Sequence, residues 1–157
     1  MSKLSETKTY IEKILKSSRF AVLATEGDGQ PYTSFIAITP MENYCALIFA
    51  TYRNTQKYRN LTRNGKVALL VESGNSGNAT QQDSFVLTAF GHVEEIRTED
   101  LKSVFNAHIE WHPDLLSFMH SEDCALVRIK VDTYQVVRSI DDVEWWSIKD
   151  LDIEESI

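Results

Sequence analysis

The sequence predicts a mainly β protein, a small closed or nearly closed β-barrel with flanking helices built from six to seven antiparallel strands. Apolar and β-branched runs of strand length recur along the chain, as in Phe20-Ala21-Val22-Leu23-Ala24-Thr25 and Lys66 to Glu72. Mostly tight turn-forming clusters separate them, so neighbouring strands return as hairpins and not through the long helices of a βαβ fold. The run Ser84 to Ile96 carries Gly91 in its interior, where a bulge or sharp bend lets a sheet turn a corner.

Taken in order, Ser5 to about Arg19 reads as an amphipathic helix capped by Ser5, with Tyr10, Ile11, Ile14 and Leu15 recurring at helical spacing. The strand Phe20 to Thr25 meets the turn formers Glu26-Gly27-Asp28-Gly29-Gln30-Pro31, and Tyr32 to Thr39 returns as its hairpin partner. Pro40 ends that strand or confines it to an edge, because it has no N–H to give a ladder. Met41-Glu42-Asn43 turns the chain into Tyr44 to Thr51, and a short helix follows from Thr55 to a stop at Asn64-Gly65. Lys66 to Glu72 is the fourth strand and Ser73 to Asn78 a polar loop. Beyond Ser84 to Ile96, Thr98-Glu99-Asp100 opens a helix with Leu101, Val104, Phe105, His108 and Ile109 on one stripe, and a shorter helix after His112-Pro113 carries Leu115, Leu116, Phe118 and Met119. Two further strands, Cys124 to Val131 and Tyr134 to Val137, complete the set.

With 157 residues, 43% apolar and 25% charged, the chain fits one domain, 1–157, large enough to enclose its own core. A formal charge of −7 argues against a nucleic-acid partner, which asks for a basic excess. No apolar run approaches a spanning helix and the first residues lack the apolar core of a signal peptide, so a cytoplasmic protein without a membrane partner is expected. Cys45 and Cys124, far apart in apolar runs, read as two buried thiols. Asp141, Asp142, Glu144, Asp150, Asp152, Glu154 and Glu155 give residues 141–157 the character of an acidic, solvated tail.

The most informative stretch is Ala46 to Leu61, a strand, a short polar turn and a helix start at Thr55. Such a junction exposes unpaired N–H groups at the positive end of a helix and favours an anion, a phosphate in particular. Thr51, Thr55, Gln56 and Lys57 add two hydroxyls, an amide and an ammonium.

Several fragments then line up in one order: Val22-Leu23-Ala24-Thr25, Asp28-Gly29-Gln30-Pro31-Tyr32, Leu47-Ile48-Phe49-Ala50-Thr51, Thr55-Gln56-Lys57, Asn60-Leu61 with Val67 to Val71, and Phe90-Gly91-His92-Val93-Glu94. In this order they resemble the pyridoxamine 5'-phosphate oxidase-like flavoproteins. The resemblance covers about residues 20 to 96 by sequence and the rest by layout. It implies a split β-barrel of the FMN-binding type and a homodimer holding FMN in clefts at its interface. It further implies that Ser34, Phe35, Ile36, Ala37, Ile38 and Thr39 run along the flavin ring. Ala50, Thr51, Gln56 and Lys57 would meet the phosphate and ribityl chain, with Thr55 as an extra donor.

The chain also departs from the oxidases proper, which carry basic residues at the positions of Ser34 and Thr39, an Arg at Gln56 and a Gln at Val86. Their terminal segment bears Arg and His beside Trp, whereas here Asp141, Asp142, Glu144 and Asp150 surround Trp145-Trp146 and would repel a phosphorylated substrate. The expected function is therefore an FMN-dependent oxidoreductase or flavin reductase acting on another small molecule. A non-enzymatic flavin-binding module, and F420 or haem as the ligand, are the alternatives.

His108 and His112, four apart on one helix, have the spacing of a metal pair but lack a third ligand, and Pro113 interrupts the helix there, so His108 is read as partly buried, His112 as a surface residue and no metal is assigned. The sequence holds no nucleophile elbow, Walker loop, paired Cys-x-x-Cys or dinucleotide fingerprint, and no catalytic side chain stands out. Trp111, Trp145 and Trp146 are read first as core or interface residues and second as stacking partners.

Overall fold

In β1 (Phe20–Gly27) the residues Ala21, Leu23 and Thr25 are buried while those between them are partly exposed, the period of a strand with one face on a core. Asp28 and Gly29, with φ of 52° and 82°, form a two-residue turn whose twist matches that of the strands, and β2 (Gln30–Ala37) returns antiparallel with Gln30 opposite Gly27. The structure, a computed structural model, describes residues 3–41, 43–72 and 86–151.

The chain continues through β3 (Thr39–Met41), β4 (Ala46–Tyr52), β5 (Lys66–Glu72), β6 (Val86–Glu94), β7 (Cys124–Ser139) and β8 (Asp142–Ser147). The helices are α1 (Lys3–Ser17), α2 (Gln56–Arg63), α3 (Leu101–Trp111) and α4 (Leu116–Met119), with single 3-10 turns at Thr98–Asp100 and Pro113–Leu115. Every pairing is antiparallel and the order is β2-β1-β5-β6-β7-β4-β3, with β8 beside β7. The two ends of that order, β2 and β3, are successive pieces of chain separated by Ile38 alone, so the sheet curls until its ends meet. This is the split β-barrel expected from the sequence. Pro40 sits in β3 and pairs only with β4, at the edge where a missing N–H leaves no ladder partner unsatisfied.

Gly91 makes the corner in β6. The register shifts between Phe90 and Gly91, leaving Asp132 of β7 unpaired, and a Cβ at Gly91 would overlap the Lys130 carbonyl, so no side chain fits there. The interior is filled by Leu23, Ile38, Leu47, Phe49, Leu69, Leu87, Ile129, Tyr134 and Val136, and α1 seats Ile11, Ile14 and Leu15 against it.

Several expectations are corrected. The first helix begins at Lys3, so Ser5 lies in its first turn and is not the cap. The second strand breaks at Ile38, and the two strands expected at Cys124 to Val131 and Tyr134 to Val137 are one. The acidic tail is not simply solvated: Asp142–Ser147 pairs with β7 as β8, and Glu144 accepts from Arg138 Nη1 at 2.8 Å and from the Trp146 indole while meeting Lys3. Those cations offset the cost of burying its carboxylate, which composition alone did not reveal. Cys45 is buried and Cys124 partly exposed, and neither forms a disulfide among the described residues. The polar loop at Ser73 to Asn78, Ser84, Glu42, and the acids Asp152, Glu154 and Glu155 lie outside the described residues.

Candidate functional site

The strand-to-helix junction is built from local sequence. β4 ends at Tyr52, and Thr55 caps α2 in extended geometry, its Oγ1 accepting the Tyr58 N–H at 3.3 Å and donating to the Tyr52 carbonyl at 2.8 Å. The N–H groups of Gln56 and Lys57 then have no acceptor within the helix and face its start. Lys57 Nζ donates to Thr51 Oγ1 at 3.3 Å, and Thr51 Oγ1 lies 3.3 Å from Thr55 Oγ1. Three of the four polar groups expected here therefore converge on one spot. Lys57 is partly buried and meets no carboxylate among the described residues, and burial pulls its pKa below the ordinary lysine value. The helix carries Lys57, Arg59 and Arg63 and no acid, a local positive field in a chain of net charge −7. Such a site is poised for an anion.

The turn is clamped from outside. Arg53 Nη1 donates to the carbonyls of Glu122 and Cys124, both at 3.0 Å, and its N–H to that of Asp123 at 2.9 Å. Gln56 is exposed, but its Nε2 turns to Asn60 Oδ1 at 2.8 Å, and Asn60 Nδ2 donates to Thr25 Oγ1 at 3.0 Å. Ala50 is partly buried opposite Leu126.

β2 alternates between outward and inward side chains from Ser34 to Ala37 and loses the alternation at the Ile38 break. Phe35 points outward at 71% exposure and stacks on Phe20 at 5.1 Å, while Ile36 is buried, Ala37 half-buried, and Ile38 and Thr39 buried. Ser34 lies opposite Leu23 with its Oγ buried and unpartnered among the described residues. Among the described residues β2 pairs with β1 alone, leaving its other edge without a ladder partner there, and it lies near both β4 and α2. The two groups of expected site residues therefore belong to adjoining elements.

Arg53, Asn60, Thr25, His108 of α3 and His112 just past its end were not legible as contributors. Asn60 had one signal, its i+4 spacing from Gln56, whereas the others act across 35 residues or more. His112 is buried, not at the surface as expected: its Nε2 lies 2.7 Å from the Ile38 carbonyl, and His108 Nδ1 lies 2.7 Å from Thr39 Oγ1. The reason is that the helix turns its stripe onto the Ile38 bend. No group of three or more metal-ligating side chains occurs among the described residues, and no described helix is long and apolar enough to cross a membrane.

Comparison with known proteins places this architecture. A haem-binding protein from Mycobacterium smegmatis superposes with a TM-score of 0.82 at 16% identity, covering 96% of this chain, which spans 60% of that protein's length. General stress protein 26 from Bacillus anthracis gives a TM-score of 0.67 at 21% identity over 90% of this chain and 98% of its own. An FAD-binding protein from Mesorhizobium loti gives 0.65 at 18% identity over 87% of this chain and 94% of its own. At these identities the likeness is one of fold. No curated protein matches the chain. The family profile described as pyridoxamine 5'-phosphate oxidase matches residues 7–138, from α1 through nearly all of β7. With the split barrel and the order of its sequence fragments in agreement, the chain belongs to the pyridoxamine 5'-phosphate oxidase family.

Proposed function

We propose that the protein is an FMN-binding flavoprotein, two copies of which hold the cofactor between them, and that it works as an oxidoreductase or flavin reductase on a small molecule that is not a phosphorylated vitamin. The observation that carries this reading is the half-buried Lys57 ammonium at the start of α2, hydrogen-bonded to a threonine hydroxyl and facing no carboxylate among the described residues. A phosphate fits there: Lys57 supplies charge, Thr51 and Thr55 hydroxyls, and the α2 start its N–H groups. Ser34, Phe35, Ile36, Ala37, Ile38 and Thr39 would line the ring, and the orphaned Ser34 Oγ is a buried polar group for which a bound ligand offers a partner. Ala50 and Gln56 would flank the ribityl chain. The flavin, when bound, supplies the electron transfer, and the chain binds, orients and shields it. A haem-binding protein shares the fold, but two of this chain's four histidines, His108 and His112, are buried against the barrel.

A row across the outer sheet face supports the dimer. Phe35 lies opposite Val22, Val22 opposite Leu70, Leu70 opposite Thr88, Thr88 opposite Gln135, and Gln135 opposite Trp145. Phe35, Leu70 and Trp145 are 71%, 39% and 57% exposed, so this face is an apolar surface that a second copy would cover.

The test is direct. The purified protein is expected to be yellow and to release FMN on denaturation. Lys57→Ala weakens FMN binding by about 1.5–3 kcal/mol, roughly 10- to 150-fold, whereas the exposed Lys66→Ala leaves it unchanged. Equal retention in both variants overturns the reading. Anaerobic mixing with NADH or NADPH then separates a reductase, whose flavin bleaches, from a binding module, whose flavin does not; a Soret band on reconstitution marks haem instead.

A further inference from the structure

The bend at Ile38 is held by groups outside the strand ladders. Its N–H donates to the Arg19 carbonyl at 3.0 Å, and its carbonyl lies 2.7 Å from His112 Nε2, which must therefore carry the proton. The next residue, Thr39, meets His108 Nδ1 through Oγ1 at 2.7 Å. The two rings lie 4.9 Å apart, both are buried, and His108 Nε2 has no partner among the described residues. Arg19 reaches back to the same helix, donating to the Trp111 carbonyl at 3.4 Å and standing 3.7 Å from Asp114.

We propose that His108 and His112 are positioning residues, a buried imidazole pair that clasps α3 to the Ile38–Thr39 corner and is undone by protonation of His108. The corner is where the sheet closes, and it ends the strand read above as the flavin wall; that last link, unlike the clasp, rests on the FMN reading.

The chemistry is one-sided. Protonating His108 puts a second N–H on a buried nitrogen with no acceptor, and protonating both sets two cations side by side. Nothing nearby offsets this among the described residues. The elements packed on α3 bring Glu99 and Asp100 from the 3-10 turn before it and Asp114 from the one after it, while β3 carries no ionisable group and β4 only Tyr52. On α3 itself stands the exposed Glu110, and α4 is followed by His120, which packs on Phe105. Neither imidazole hydrogen-bonds or pairs with any of these. Burial first and His112 second push His108 from 6.5 down to about 4. A group with that value when the corner is closed and the ordinary one when it is open favours opening by roughly twentyfold on going from about pH 7 to about pH 5.

Amide hydrogen exchange on the flavin-free wild type reads this opening. The protection factor of Ile38 falls by roughly twentyfold between those pH values while Leu69 and Leu87, in β5 and β6, keep theirs. The double variant His108→Asn, His112→Gln places uncharged amide nitrogens near the two bonding ring nitrogens and abolishes the fall. His112→Ala lowers Ile38 protection already at neutral pH. A parallel fall at Leu69 and Leu87, or an undiminished fall in the double variant, overturns the clasp. If the double variant does not fold, ring ¹⁵N spectra of the wild type decide: a His108 imidazole still neutral at about pH 5 supports it, and its titration near 6.5 overturns it. FMN affinity tests the link separately. His112→Ala weakens it about tenfold and His112→Gln restores it; a wild type that binds no FMN at any pH refutes the function proposed above and leaves the exchange result to judge the clasp.

Discussion

The Asn60 carboxamide donates to Thr25 Oγ1 at 3.0 Å and accepts from Gln56 Nε2 at 2.8 Å while being only 2% exposed. A Cβ on Gly27 would overlap its Oδ1, so the end of β1 is shaped around this amide. Asn60→Ala strands the buried Thr25 hydroxyl, and a loss of about 1–3 kcal/mol is expected in urea denaturation; a loss below about 0.5 kcal/mol would show that water replaces the amide without penalty. Thr51, Thr55 and Lys57 were legible because all lie within seven residues, where strand and helix periods fix which side chains meet. Thr25 with Asn60 was not, since nothing in either local pattern says that the end of β1 lies beneath α2.

At the scale of elements, α2 was readable to the residue. Its cap is Thr55, with φ −137° and ψ 155°, and its helical span closes at Arg63, before Asn64-Gly65. Thr55→Ala is expected to lower the stability of the flavin-free protein by about 1 kcal/mol and Thr55→Ser by much less, measured by thermal denaturation; equal losses would mean that the methyl and not the hydroxyl matters. β8 was not readable. Its composition is that of a solvated tail, and it becomes a strand because Arg138, stacked over Tyr10 at 5.1 Å, and Lys3 supply the charges that let Glu144 lie half-buried. Burial opposes ionisation of Glu144, but hydrogen bonds from Lys3, Arg138 and Trp146 outweigh it and hold the carboxyl at about 2. A double-mutant cycle of Arg138→Met with Glu144→Gln is expected to show coupling above about 0.5 kcal/mol, and additivity would place the hairpin's stability in Val143, Trp145 and Trp146 instead.

For the whole molecule, closure of the barrel was legible from the turns and Gly91, but the means of closure was not, because it depends on α3 meeting the strand it follows by some sixty residues. That meeting gives folding a pH dependence of definite sign. His108 is held at about 4 against an ordinary 6.5, so between these values the unfolded chain binds more protons; its stabilising contribution is complete above about 6.5 and drains away as pH falls towards about 4, up to about 3 kcal/mol in all. Tyr134 acts at the other end. Buried, with its hydroxyl on the Tyr44 carbonyl and near Cys45, it has its pKa raised above the ordinary 10, so the unfolded chain loses its phenolic proton first and stability declines as pH rises past about 10. Urea midpoints should therefore trace a plateau between about 6.5 and 10 with a descent on each side. His108→Asn should flatten the acid shoulder between about 6.5 and 4 and leave the alkaline one, while Tyr134→Phe should do the reverse at some cost in stability throughout. A wild-type midpoint that stays level from about pH 7 to 5, or an acid shoulder equally steep in His108→Asn, would mean that the buried pair takes up its proton in the folded state without penalty, and that the barrel is closed by its apolar core alone.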